Sequence, residues 1–319
     1  MAKNSQIQWT DHTWNIAVGC SKVDEDCKYC YMYRGSLNNT RYDPKQVRKT
    51  KTVFNLPLKI KEPSRIFVSS LTDVFHPECD SFRDEMWDII RRCPYHTFQI
   101  LTKRPERIKD YLPEDWGDGW DNVWLGTSVG SKKGLKRLLE LCSPDIRAKV
   151  KFLSIEPLYE NVSIAPVSME YDSCQINWNV FGITGINWVI IGGESGNETG
   201  KYRYRPCKLE WIENIINQCR DSGVPVFLKQ LGTHISKELG LKDRHGGNME
   251  EWPEHLRIRE FPDSIITRQQ VKELLDKMYN TPAPPRIPAY SWYNQNGQHV
   301  EDPDQLDLFE SKKGKDNHE

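Results

Sequence analysis

The sequence predicts an α/β protein built as a complete or partial (β/α) barrel of parallel strands, on three observations. Short apolar, β-branched runs recur along the chain, stripes of helical period lie between them, and nearly every run ends in small polar or charged residues. Such runs read as strands buried on both faces, and their alternation with helices calls for right-handed crossovers. A series of about seven such units suits a barrel better than a small open sheet.

Composition agrees with one large folded domain. The chain has 319 residues, is 37% hydrophobic and 28% charged, and carries a net charge of −1, enough to bury a sizeable core. The N-terminus lacks a basic-then-apolar leader and no long apolar run occurs, so a cytoplasmic protein with no membrane association is expected. Nine cysteines without a leader point to reduced thiols and metal, not to disulfides.

The first strand is expected before Cys20, in the aromatic lead-in Trp9-Thr10-Asp11-His12-Thr13-Trp14-Asn15. A loop follows in which Cys20, Cys27 and Cys30 fall as C-x6-C-x2-C, with no nearby fourth cysteine at a finger-type spacing. Three thiolates with an open position suit a [4Fe–4S] cluster whose fourth iron binds something other than protein. A zinc site that borrows Cys79 or His76 is the alternative. The loop's interior charges, Lys22, Asp24, Glu25 and Asp26, predict that it is exposed.

Between Arg34 and Lys61, the residues Arg34, Arg41, Lys45, Arg48, Lys49, Lys51, Lys59 and Lys61 have few acidic neighbours, which points to a polyanion or a solvated surface. Strands are then expected at Arg65–Ser70, Thr97–Thr102, Val123–Ser128, Val150–Ile155, Trp188–Ile191 and Val224–Lys229. Helices are expected from a Ser81 cap to Arg92, from near Pro105, along the stripe Leu135, Leu138, Leu139, Cys142, and along Leu209, Ile212, Ile215, Ile216, Cys219. Cys93, Cys142 and Cys219 lie on apolar stripes and are read as core. Trp9, Trp14, Trp116 and Trp120 sit in loop-like surroundings where they would either pack or stack on a base.

Polar residues end the strands at one phase: Ser69, Ser70 and Asp73; Thr102 and Lys103; Thr127 and Ser128; Glu156; Glu194 and Ser195; Lys229 and Gln230. In a parallel barrel they would converge on one mouth with the cysteine loop. Gly192-Gly193-Glu194-Ser195-Gly196 fits neither the phosphate-loop nor the dinucleotide frame, and its glycines are expected to let a ligand approach the backbone. Asp73, Glu156 and Glu194 together also permit a divalent-metal nuclease.

Cys27, Tyr29 and Cys30 resemble the cluster loop of the radical S-adenosylmethionine (radical SAM) superfamily, although the first gap is wider than usual there. From Trp9 to about Pro262 the chain also resembles an uncharacterised family of phage and prophage proteins, sharing Asp73-Val74-Phe75-His76-Pro77, Leu101-Thr102-Lys103-Arg104-Pro105, Gly192–Gly196 and Trp252-Pro253-Glu254-His255-Leu256-Arg257. The radical SAM resemblance implies a [4Fe–4S] cluster on Cys20, Cys27 and Cys30 with S-adenosylmethionine bound to it. It places Ser69, Ser70 and Asp73 at the methionine amino group, Ser128 at the ribose and Tyr29 near adenine. Glu156, Glu194 and Lys103 remain for substrate chemistry, an electron donor is implied, and nucleic acid, DNA first, is the expected substrate, for repair or base modification. A metal-stabilised, non-catalytic nucleic-acid adaptor is the alternative.

The barrel domain is expected to span 1–262. A short helix, Thr267 to Tyr279, and a proline-rich extension follow over 263–293, and 294–319 reads as a disordered tail. In that tail, Gln305-Leu306-Asp307-Leu308-Phe309 resembles the pentapeptide by which bacterial replication and repair proteins bind the sliding clamp.

Overall fold

In the computed structural model, the described residues are 5–33, 43–164, 185–200, 203–262, 292–293 and 299–300. Seven strands form one sheet: β1 (His12–Trp14), β2 (Arg65–Val68), β3 (Thr97–Thr102), β4 (Val123–Ser128), β5 (Val150–Leu158), β6 (Trp188–Gly193) and β7 (Val226–Gln230). They lie in sequence order and every neighbouring pair is parallel. The sheet is a curled half-barrel, with β1 and β7 as its two edges among the described residues.

Strand parity sorts the side chains onto two faces. Ile66, Val68, Phe98, Ile100, Leu125, Leu153, Ile155, Val189, Ile191 and Leu228 join the larger core under the helices α1 (Arg83–Arg91), α2 (Leu135–Leu141) and α3 (Leu209–Asp221). The intervening Phe67, Trp124, Phe152, Trp188, Ile190 and Phe227 form a second, mostly aromatic cluster on the opposite face, with Trp9 inserted among them. Trp188 is its hub, packing within 6.3 Å of Trp9, Trp124, Phe152, Phe227 and Phe261. The edge of β7 is covered by the chain at 258–260: Leu228 N–H donates to the Ile258 carbonyl, and Glu260 N–H to that of Val226.

Several helices differ from expectation. Ser81 does not cap α1. It lies inside a 3-10 turn, Pro77–Phe82, capped by His76, and α1 starts at Arg83, whose buried guanidinium binds the Val74 and His76 carbonyls and Asp80. After Pro105 come two 3-10 turns, Pro105–Arg107 and Lys109–Tyr111, held where Arg107 reaches the Phe75 carbonyl and Asp80. Leu139 is exposed and Cys142 half-buried, while Cys93 and Cys219 are core. A fourth helix, α4 (Gly232–Glu238), buries Thr233, Ile235 and Ser236 and has no apolar stripe to announce it.

Trp9, Trp14 and Trp116 are buried, and Trp116 and Trp120 pack on Trp87. None of the four is a free stacking surface. Of the basic stretch, Lys45, Lys51, Lys59 and Lys61 are exposed, Lys49 pairs with Glu85 at 2.6 Å, and Arg34 and Arg41 lie outside the described residues. So do the expected helix Thr267 to Tyr279, the proline-rich extension and the pentapeptide Gln305–Phe309. Contacts divide the chain into Met1–Val271 and Lys272–Glu319; the second unit's described residues are an antiparallel pair, Trp292–Tyr293 with His299–Val300. No helix among the described residues is long and apolar enough to cross a membrane.

Gly126 lies opposite Phe152 in the β4–β5 register, and a Cβ there would press into the Phe152 ring. Gly126→Val should therefore lower stability in urea unfolding by about 1–3 kcal/mol, the usual cost of overpacking. Shrinking the ring in Gly126→Val/Phe152→Leu should restore part of it.

Candidate functional site

A cavity of about 890 Å³ opens at the carboxyl ends of the strands. Its walls include Cys20, Cys27, Tyr29 and Cys30 from the cysteine loop, and Ser69, Ser70, Asp73, Lys103, Ser128, Glu156 and Glu194 from the strand ends. All eleven barrel residues singled out from the sequence thus face one space. Ile7, Trp9, Phe67 and Leu101 add apolar surface.

The cysteine loop is held from below. Asp26 is buried, against expectation for so charged a segment, and its carboxylate accepts from Gly130 N–H (3.1 Å), Ser131 Oγ (3.0 Å), the Tyr159 hydroxyl and Arg137. Arg137, also buried, donates to Asp24 as well and through Nε to the Ser128 carbonyl at 2.7 Å. Asp24 in turn accepts from Asp26 N–H and caps a short turn ending at Cys27. Burial alone would raise the Asp26 pKa, but the Tyr159 and Arg137 bonds outweigh it and hold the carboxyl below its ordinary value. A depressed folded-state value means that this contribution is complete above the ordinary carboxylate range and is lost as pH falls through the folded value.

From above, Arg104 ties the loop to the barrel. Its guanidinium donates to Asp73 Oδ2 (3.0 Å) and to the Ser21 carbonyl and hydroxyl (3.1 and 2.8 Å), and Nη1 lies 4.0 Å from Cys20 Sγ. Asp73 also accepts from Thr102 Oγ1, Lys103 N–H and Phe75 N–H. With both oxygens so occupied, Asp73 is an anchor for Arg104 and not a free receptor for an ammonium group. Ser69 is committed likewise, donating to the Trp14 carbonyl and accepting from Ile16 N–H. Ser70 bonds with Asn15, and Ser128 lines the wall without a bonding role of its own side chain in this network.

Glu156 pairs with Lys229 at 2.9 Å, and Glu194 takes a two-pronged bond from Arg205 at 2.8 Å. Arg205 stacks on Tyr159, lies 5.4 Å from the Tyr29 ring and donates to the Glu25 carbonyl, joining strand β6 to the cysteine loop. The glycines beside Glu194 serve protein contacts: a Cβ at Gly192 would strike Glu156, and one at Gly193 the backbone of Leu231 and Gly232. Gly193 and Gly196 nonetheless line the cavity.

Three thiols from one loop, none in a disulfide, line the cavity. Burial raises Cys20 to about 11, with Asp73 adding to it and Arg104 opposing, and burial also raises Cys30. A soft metal centre would deprotonate these thiols on binding. The donors proposed to complete a zinc site are engaged elsewhere. His76 Nδ1 accepts from Glu78 N–H, so its Nε2–H faces Ser21 Oγ at 2.9 Å, and Cys79 is buried against the Asp73 carbonyl. Among the described residues no group of three His, Cys, Asp or Glu side chains is arranged around a single metal ion. Asp73, Glu156 and Glu194, the carboxylates of the nuclease reading, each face a cation of the protein.

Residues 4–284 match the model of a family described as protein of unknown function (DUF5131). No curated protein matches the chain. Among solved structures, a cysteine-to-alanine mutant of spore photoproduct lyase with dinucleoside spore photoproduct aligns at 14% identity and a TM-score of 0.35, covering 48% of this chain and 47% of that one. The chain spans about half the length of that lyase.

Removing one member of the buried pair beneath the loop should cost about 3–5 kcal/mol. In Arg137→Met, unfolding in urea should show that loss, and a thiol reagent should label Cys20, Cys27 and Cys30 faster. Arg137→Met/Asp26→Leu should recover stability without restoring slow labelling, because the stranded charge is gone but the anchor is not.

Proposed function

We propose that this chain, which belongs to the DUF5131 family, is a radical SAM-type enzyme acting on nucleic acid, DNA first. The observation that carries the reading is the placement of three soft ligands, Cys20, Cys27 and Cys30, on one internally anchored loop over the strand-end mouth of a parallel half-barrel. Three protein thiolates suit a [4Fe–4S] cluster with one iron left open. When bound, such a cluster supplies an electron that cleaves the sulfonium of S-adenosylmethionine and yields a hydrogen-abstracting 5′-deoxyadenosyl radical.

The chain's own residues would do the rest. Arg104 offsets the negative charge of the thiolates from the barrel side and fixes the loop's first turn through Ser21. Tyr29, at the cavity wall beside Arg205, offers a ring to the cofactor's adenine. Ser70 and Ser128 line the cofactor's side of the cavity, while Ser69 and Asp73 act indirectly by holding that wall in place. Glu156 and Glu194, each held by one cation, present fixed polar groups to a substrate without needing to reorganise. Trp9, Phe67 and Leu101 keep water from the apolar end. An electron donor and, through Gln305, Leu306, Asp307, Leu308 and Phe309, a bacterial sliding clamp are the partners in this reading.

Protein purified without oxygen should be brown, hold about four irons per chain, and release 5′-deoxyadenosine from S-adenosylmethionine under reduction. Cys20→Ala, Cys27→Ala and Cys30→Ala should each lose the iron. A colourless protein with one zinc per chain would overturn the reading.

The clamp partner is tested separately. Changing Gln305→Ala, Leu308→Ala and Phe309→Ala together should abolish retention on immobilised clamp and leave iron content unchanged. Undiminished retention removes that partner.

A further inference from the structure

The charges of the cavity wall can be paired off. Asp26 faces Arg137, Asp73 faces Arg104, Glu156 faces Lys229, and Glu194 faces Arg205. Every carboxylate lining the cavity is thereby neutralised by a cation of the protein. Two further wall cations remain. Lys103 has no ion pair among the described residues, and Arg244 reaches only the Gly196 carbonyl at 3.4 Å and Asn197 Oδ1 at 3.5 Å. A low-dielectric cleft with surplus positive charge attracts anions.

The two surplus cations stand well apart. Lys103 follows β3, and the Arg244 guanidinium lies against Gly196 and Asn197, which follow β6, three positions along the sheet. At about 4.8 Å per strand spacing, the arc between them is on the order of 14 Å. No single phosphate bridges that, and linked nucleotides do.

The same cavity also has an exposed aromatic face on its wall. Tyr31 is 55% exposed and lines the wall, yet its hydroxyl donates to the Ser70 carbonyl at 2.5 Å. An aromatic face held from its far end is a stacking platform that loses little freedom on binding.

We propose that Lys103, Tyr31 and Arg244 form the substrate track of the cavity mouth. Its ligand is a nucleic-acid strand whose phosphates meet the two cations while a base stacks on Tyr31. This rests on the cavity being the reaction site and is independent of which metal the cysteines hold. The duplex would have to be opened or the base turned out for the ring to be reached.

The test is fluorescence anisotropy of a labelled single strand of about eight nucleotides with the full chain, across a salt series. Lys103→Gln and Arg244→Gln should each weaken binding several-fold and reduce the slope of log affinity against log salt by about 0.7. Tyr31→Leu should weaken binding roughly tenfold with the slope unchanged, and Tyr31→Phe should keep most of the affinity. Unaltered slopes in both charge variants would overturn the track, as would a mononucleotide that competes as well as the strand. Circular dichroism and iron content of the same proteins separate the outcomes. Variants that keep their fold and iron but lose the strand support the track, whereas wild-type protein that binds the strand by these residues yet holds no iron refutes the cofactor alone.

Discussion

The buried ion pair between Arg137 and Asp26 is the constraint on which the site depends. Two charges taken out of water are tolerable only when their remaining hydrogen-bonding capacity is met, and here Gly130, Ser131, Tyr159, Asp24 and the Ser128 carbonyl meet it. The interaction fixes the middle of the cysteine loop to the end of β4 and the start of α2. It also gives a physical role to the residues inside the C-x6-C-x2-C spacing. The residues between Cys20 and Cys27 include the Asp24 and Asp26 that make the anchor. Gly130 and Gly134 belong to the same device, because a Cβ on either would crowd the Asp26 carboxylate.

The half-barrel supplies what the anchor needs. Parallel strands in sequence order bring every strand end to the same side, so polar residues far apart in the chain meet without long connections. The inner face is filled from the opposite end by Trp9, Phe67, Trp124, Phe152, Trp188 and Phe227, which leaves the cavity beneath the cysteine loop. The larger, aliphatic core on the other face carries the helices.

Much of this is legible in the sequence because the signals are local. A β-branched run such as Val189-Ile190-Ile191 can hardly be anything but a buried strand, and the polar residue at its end marks the mouth. What the chain hides are pairings. Asp26 looks like a solvated charge until Arg137, remote in sequence, is brought beneath it. Asp73 looks like a ligand until Arg104 and Thr102 fill both its oxygens. Arg205 carries no motif, yet it joins Glu194 to the loop. A strand-end position reveals that a side chain reaches the cavity, but not whether its hydrogen bonds are already spent. Helix starts fail for a similar reason, since Ser81 has the composition of a cap while Arg83 has the buried bonds that set the boundary.

These pairings determine what the cavity can do. Asp73 and Glu194, each bonded to a guanidinium, are fixed in place and hold the shape of the wall. His76, which burial and the nearby Arg104 push below its ordinary value, faces Ser21 beneath the loop, whereas His245 places an imidazole on the cavity wall. The paired charges of the walls are held in place before a ligand arrives. Among the described wall residues, the three thiols are the soft donors that the proposed cluster would need.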